Sequence, residues 1–257
     1  MPDVYSPPQS DLLGFSSDGT QPPSGRGVWP LDVGATLSRA WELVQPNIAA
    51  GAIGFLALMA INFAVSLPLT VVQTFLQAAV ASIQGENAQL AATVLVVLLQ
   101  IVSAIIGQFV GGFVYVGMAH GTYRLITTEQ VSVGDFLPFQ GDLILRAGAA
   151  QIAMLVAVLA GTCAFVVPGV ILSLGLVLWP FAMVTERLGP IDALKRSWEL
   201  TDGYKIQILV WIIAVGLLNI VVSIPTCFLA MFVTLPVFWT GFALMFEGLR
   251  DNKSQLS

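Results

Sequence analysis

Charge is what this chain has least of. Only 10% of its 257 residues are Asp, Glu, Lys or Arg, against about a quarter in a soluble domain. The deficit is concentrated. No charged residue lies between Glu42 and Glu86, Glu86 and Arg124, Arg146 and Glu186, or Lys205 and Glu247. Each gap has room for one or two bilayer crossings of ~20 residues, and a soluble core has no reason to produce four. Other scarcities exclude whole classes of function. One histidine, His120, and two distant cysteines, Cys163 and Cys227, fall short of the three or four ligands of a zinc site and of a disulfide scaffold. A bridge between the two cysteines stays open, with two unpaired thiols as the simpler alternative. There is no long basic run to mark a nucleic-acid partner, no Gly-rich phosphate loop, and no Ser/His/Asp set on one side of a membrane. No cofactor and no metal are expected, and the net charge of −5 mixes segments that see different surroundings.

What the chain does have is apolar helix interrupted at regular places. Residues 1–28, rich in Pro, Ser, Gly and Asp, have the composition of a disordered tail and lack the basic start and apolar core of a secretory signal. Asp11-Leu12-Leu13-Gly14-Phe15 is their one apolar cluster, either a docking motif or simply tail. A first amphipathic stretch runs from about Leu31 to Gln45 and is ended by Pro46. Its apolar stripe is Leu37, Ala40, Trp41 and Val44, against Ser38, Arg39, Glu42 and Gln45. It has a near twin at Leu194–Gly203, where Ile191, Leu194, Ser197, Trp198 and Thr201 oppose Lys195, Arg196, Glu199 and Asp202. An amphipathic helix with Trp at its edge, just before an apolar run, reads as an interfacial elbow. Arg39, Trp41, Lys195, Arg196 and Trp198 are the candidate interfacial anchors, the tryptophans fixing depth and the cations meeting lipid phosphates. Arg39–Glu42 and Arg196–Glu199 are also spaced as i,i+3 ion pairs.

Between the elbows the spans follow. One begins near Asn47 and reaches Leu67, where Pro68 should kink or break it. Leu69–Gln84 then changes character, with an apolar stripe opposite an uncharged polar one. If 47–84 is one helix it is ~57 Å long, far beyond the ~30 Å hydrocarbon core, so its end projects from the bilayer, lies along it or lines a wet cavity. A second over-long span returns from Leu90 to Tyr123, carrying Gly107/Gly111 and Gly117/Gly121 as close-approach pairs. Val133–Arg146 reads as a third, degenerate elbow. Two spans follow at about Ala147–Val166 and Val170–Val184, separated by Pro168-Gly169, the second kinked by Pro180 and short enough that a re-entrant course is an alternative. The last pair, from Ile206 to Phe246, is split at Pro225, and a polar tail closes the chain.

All ten basic residues then fall on one side, and the turns near Glu86, Pro168 and Pro225 carry none. By the positive-inside rule that side is the cytoplasm. The expected fold is an all-α polytopic membrane protein with six transmembrane helices in three hairpins, preceded by cytoplasmic amphipathic helices. Residues 29–250 form the membrane domain, with cytoplasmic tails at 1–28 and 251–257. Within the bilayer the polar residues are all neutral: Asn62, Gln73, Gln77, Gln100, Gln108, Gln151 and Asn219. Ion-coupled transporters usually keep a charged group at that depth. Gln73, Gln77, Gln100 and Gln108 therefore line a neutral path or glue helices. His120, with Tyr123 and Arg124 nearby, is either a small polar site or a snorkelling or hydrogen-bonded side chain, and Glu86 is a solvated turn charge.

Four stretches carry a resemblance: Leu31-Asp32-Val33-Gly34 leading into Leu37–Leu43; Val131-Ser132-Val133-Gly134-Asp135-Phe136; Val167-Pro168-Gly169-Val170; and Gly189-Pro190-Ile191-Asp192-Ala193-Leu194-Lys195-Arg196-Ser197-Trp198-Glu199-Leu200-Thr201-Asp202-Gly203. Over roughly residues 30–250 the chain resembles bacterial integral membrane proteins that share the membrane domain of some glycerophosphodiester phosphodiesterases. The phosphodiesterase barrel itself would need ~250 further residues, so none of its catalytic residues transfer. The resemblance implies a bacterial cytoplasmic-membrane protein. The expectation is a non-enzymatic accessory or structural component, associated with membrane lipids and docked to a protein partner or a second copy through its outer hairpin or N-terminal tail. The alternative is a passive channel or transporter for a neutral or amphiphilic solute.

Overall fold

The computed structural model describes residues 33–224, 226 and 230–256. The N-terminal tail, Leu31-Asp32, Arg26, Pro225 and Cys227 lie outside them, and so does any pairing of Cys163 with Cys227. Every regular element among the described residues is a helix: α1 (Val33–Val44), α2 (Ile48–Ala81), α3 (Glu86–Thr128), α4 (Gly141–Ala164), α5 (Val166–Leu176), α6 (Trp179–Thr185), α7 (Pro190–Thr201), α8 (Lys205–Ser223) and α9 (Met231–Leu256), with short 3₁₀ turns at Gln45–Asn47 and Val133–Phe136. Six helical stretches are long and apolar enough to cross a membrane: α1–α2, α3, α4, α5–α6, α8 and α9. The protein is an all-α, multi-pass membrane protein.

The first elbow does end at Pro46, where a 3₁₀ turn separates α1 from α2. Several other expected boundaries move. Pro68 does not break α2, which runs on to Ala81. Just past it the Thr70 hydroxyl donates back to the Ser66 carbonyl at 2.9 Å and Thr74 to Thr70 at 2.9 Å. The α4–α5 break falls at Phe165, whose backbone is extended (φ −164°, ψ 155°), rather than at Pro168. That proline occupies the first turn of α5, where its missing N–H has no intrahelical partner to lose. The third elbow is absent. Val133–Arg146 holds only a 3₁₀ turn, an irregular link and the start of α4. At the chain's end, helix rather than a polar tail continues through residues 251–256.

The twin elbows are both helices, but their buried faces are rotated from the expected ones. Thr36, Ala40, Leu43 and Val44 are buried in α1; Ala193, Leu194, Ser197, Leu200 and Thr201 in α7. Trp41 and Trp198 are 43% and 36% exposed, and Ile191 is exposed too. The reason is tertiary. α1 packs on α9, and α7 packs on α4, α5, α6 and α9, so each helix presents inward the side that meets protein, with the tryptophan at the rim.

The densest core lies at the end of the molecule where α1, α6, α7 and the end of α9 meet. Trp179, Trp211, Phe181, Phe246 and Leu249 are fully buried there. Tyr115, Phe181, Trp239, Phe242 and Phe246 form a run of ring contacts with centroids 5.5–6.3 Å apart, a favourable spacing for edge and offset packing. The other end is bare. Between Met59 and Gly111 only Val96 is buried.

Candidate functional site

The charged end is tied together by side chains from helices far apart in sequence. Arg39 in α1 pairs with Glu42 at 3.3 Å and with Glu129, just past α3, at 3.4 Å. Arg196 in α7 donates from Nε to both oxygens of Glu186 at 3.2 and 3.0 Å, and lies 3.7 Å from Glu199. Arg250 in α9 meets Glu247 and the Tyr123 hydroxyl of α3, and Lys253 donates to the Glu199 carbonyl. These contacts and those below draw the described cations to one end. Of the candidate anchors, Arg39 and Arg196 are thus occupied by carboxylates. Lys195 is exposed and makes no ion pair with a described residue. Trp41 lines an apolar groove of about 490 Å³ between α1, α8 and α9. Trp198 lies against Gly175 of α5, where a methyl group would overlap its ring, and Lys205 Nζ sits 4.2 Å from its centroid.

The buried polar residues of α7 have a specific task. Helix α5 stops at Leu176 and α6 starts at Trp179, which strips backbone groups of helical partners. The Ser197 hydroxyl accepts from the Leu178 N–H at 3.1 Å and donates to the Gly175 carbonyl at 2.9 Å, and the Thr201 hydroxyl reaches the same carbonyl at 3.0 Å. Two hydroxyls from the Gly189–Gly203 stretch therefore satisfy the broken span.

The 3₁₀ turn at Val133–Phe136 inserts Phe136 between α2 and α3. The ring is 1% exposed and packs with Phe55, Leu58, Phe113 and Met118. A methyl group at Gly54 or Gly121 would overlap it. The Gly117/Gly121 pair thus receives the Phe136 loop, with Leu58 of α2 also against Gly117, while Gly107 and Gly111 face open space and another close helix approach occurs at Gly112 against the Ala147 carbonyl. Asp135 holds the turn. Its carboxylate accepts from the Ser132 N–H at 2.8 Å and the Ser132 hydroxyl at 2.9 Å, and lies 3.6 Å from Arg124. Burial raises the Asp135 pKa, but the Ser132 bonds, Arg124 and His120 outweigh it, so the group sits below the ordinary carboxylate value.

His120 is half-buried, with Nδ1 2.6 Å from the Asp135 carbonyl oxygen. A carbonyl only accepts, so Nδ1 carries the proton. Of the two readings of His120, the hydrogen-bonded side chain is the one found: Tyr123 turns to Arg250, and His120 and Arg124 meet Asp135 at its carbonyl and its carboxylate. His120 also borders a polar cleft of about 520 Å³ with Gln140, Asp142, Arg146 and Arg187. Nothing in the sequence signalled it, because its walls come from α3, the start of α4 and the end of α6.

The four glutamines do not converge. Gln73 and Gln100 line a recess of about 290 Å³ between α2 and α3 with Ser66, Thr70 and Ser103. Gln77 is exposed, and Gln108 is half-buried elsewhere on α3. Among the other amides, Asn219 joins α8 to α9 through Thr234 at 2.8 Å, accepts from Ser223 at 2.9 Å, and so acts as helix glue. The Gln151 Oε1 is buried without a partner. Glu86 begins α3, where a carboxylate favours the helix dipole. Among the described residues no group of three His, Cys, Asp or Glu is placed to hold a metal.

No curated protein and no solved structure matches the chain. A family model described as a domain of unknown function (DUF7847) matches residues 104–249. That is more than half of the chain, and it takes in the Phe136 turn, the polar cleft and the Ser197–Gly175 join. The chain belongs to that family.

Proposed function

We propose that the protein is a non-enzymatic component of the bacterial cytoplasmic membrane, with both termini in the cytoplasm, that docks to another membrane protein or a second copy through the far end of the α2–α3 hairpin. One observation carries this reading. Helix α3 has 43 residues, about 65 Å at 1.5 Å per residue, whereas α4 has 24 residues, about 36 Å and enough for the ~30 Å hydrocarbon core. The surplus is not polar. Phe75 is 74% exposed, and Val72, Leu90, Val94, Leu95 and Leu98 are each more than half exposed. Apolar helix continuing past the bilayer calls for a cover. The groove beside Trp41, lined by apolar atoms, suits a lipid chain, in keeping with lipid association. The resemblance to the membrane domain of glycerophosphodiester phosphodiesterases belongs to the same reading.

The second reading, a passive route for a neutral or amphiphilic solute, draws on the recess between Gln73 and Gln100. It is weakened by the outward position of Gln77 and the separate one of Gln108. A single experiment addresses both. Cysteines are placed at Phe75, Leu98, Gln73 and Gln108 after Cys163 and Cys227 are replaced by serine, and a membrane-impermeant maleimide is applied to native membranes and to the purified protein in liposomes. Docking gives protection at Phe75 and Leu98 in native membranes that disappears in liposomes. Equal labelling of the two preparations overturns it; protection in both identifies a second copy as the partner if it fades at low protein-to-lipid ratio, and overturns the docking reading if it does not. Labelling at both Gln73 and Gln108 in liposomes would favour the solute route.

A further inference from the structure

The polar cleft at the charged end has no part in the docking reading. It is walled by His120 of α3, by Gln140, Asp142 and Arg146 at the start of α4, and by Arg187 just past α6, over an apolar base that includes Leu143 and Leu188. Two arginines line one space. Arg187 is exposed and makes no ion pair or hydrogen bond with a described residue. Arg146 Nη2 meets Asp142 Oδ2 at 2.8 Å, but both side chains are largely solvated, at 45% and 73% exposure. Such a pair is worth little and opens readily. The rest of the Arg146 fork has no partner among the described residues. With Asp142 counted, the cleft keeps a surplus positive charge. Its depth is also set. Arg146 and Glu186-Arg187 bracket the longest charge-free part of α4–α6, so both arginines stand where apolar span gives way to the headgroup layer.

We infer that this cleft binds a phosphate group, held between the Arg146 and Arg187 guanidiniums. Planar forks recognise phosphate oxygens in pairs, which a lysine does not reproduce. The His120 ring, protonated at Nδ1, leaves Nε2 as an acceptor for the hydroxyl of a singly ionised phosphate. The apolar base beside the charges suits the glycerol and first acyl carbons of a phospholipid, and free phosphate offers the same oxygens without them. This inference does not depend on the docking reading, and its failure would leave that reading untouched.

The test is calorimetric titration of the purified full-length protein in a neutral detergent with dioctanoyl phosphatidic acid, dioctanoyl phosphatidylcholine and inorganic phosphate. Phosphatidic acid is expected to bind in preference to phosphatidylcholine, and Arg187→Gln to weaken it by about tenfold or more. Arg187→Lys should fall between the two, because it keeps the charge and loses the fork. Lys205→Gln, an equal change of net charge away from the cleft, should leave binding within about twofold. Inorganic phosphate binding as tightly as the lipid identifies a free phosphate as the ligand; binding of the lipid alone identifies a headgroup. Arg146→Gln should match Arg187→Gln. If it unfolds, Arg187→Gln still decides, being exposed and unpaired. Absence of binding to both phosphate probes, wild-type affinity in Arg187→Gln, or an equal loss in Lys205→Gln overturns the inference.

Discussion

Residues 59–111 and 236–249 are both apolar helix, and they live in opposite surroundings. In the first stretch one side chain, Val96, is buried; in the second only Phe238, Trp239 and Glu247 are not. Apolar content does not separate them, although the first is aliphatic, rich in Val, Leu and Ile, and the second aromatic, with Phe238, Trp239, Phe242 and Phe246. The difference lies in what surrounds each. The end of α9 is enclosed by α1, α3 and α7, whereas α2 and α3 meet each other, with α4 alongside α3, and still leave most of their far side chains exposed. Stability should therefore be concentrated at the charged end, and the hairpin should tolerate changes that the bundle does not.

The largest contrast should come from aromatic truncation. Phe136→Ala empties the space between α2 and α3 and should cost about 3–5 kcal/mol, whereas Phe75→Ala should stay within about 0.5 kcal/mol for the isolated protein. Denaturant unfolding in micelles, followed by tryptophan fluorescence, measures both. Next come the glycines. Gly121→Val overlaps the Phe136 ring and should cost about 1–3 kcal/mol, while Gly107→Val points into open space and should be nearly silent in the same assay. A third step is polar. Ser197→Ala leaves the Leu178 N–H without its acceptor and should cost about 1–3 kcal/mol, against little for Thr74→Ala on the hairpin, whose hydroxyl only bonds back along its own helix. The smallest effect is acid sensitivity. Asp135 has a lowered pKa in the folded protein, so its contribution is complete above the unfolded value of about 3.9 and is lost as pH falls through the still lower folded value. Asp135→Asn should flatten the dependence of thermal stability on pH below about 4, and an unaltered slope would mean that the turn is held by Phe136 alone.

The gaps in charge between Glu42 and Glu247 place the apolar spans, because bilayer length and the cost of burying charge act on sequence directly, and the count of six follows from splitting the last two gaps so that all ten cations share one side. Proline positions were less informative. Pro168 looked like a break and sits harmlessly in a first turn, while Phe165, with no breaker chemistry of its own, takes the extended backbone. Periodicity alone draws the elbow faces and cannot tell a side turned to lipid from one turned to α9, so its apolar stripe holds the exposed Trp41 and omits the buried Leu43. Phe136 was invisible for a different reason: an aromatic residue in a short loop carries no period. Arg146 and Arg187 meet only because α4 and α6 pack, and no local rule joins them.

The join between α5 and α6 bears on how the protein is made. The groups exposed by that interruption, the Leu178 N–H and the Gly175 carbonyl, belong to a span that leaves the ribosome before Ser197 and Thr201 exist. Bare amides in hydrocarbon cost several kcal/mol each. The nascent span must therefore wait at a wet interface, inside the insertion machinery, or as an unbroken helix, until the next segment arrives to receive it. Its final shape is set after translation has moved on, by a part of the chain that never crosses the bilayer with it.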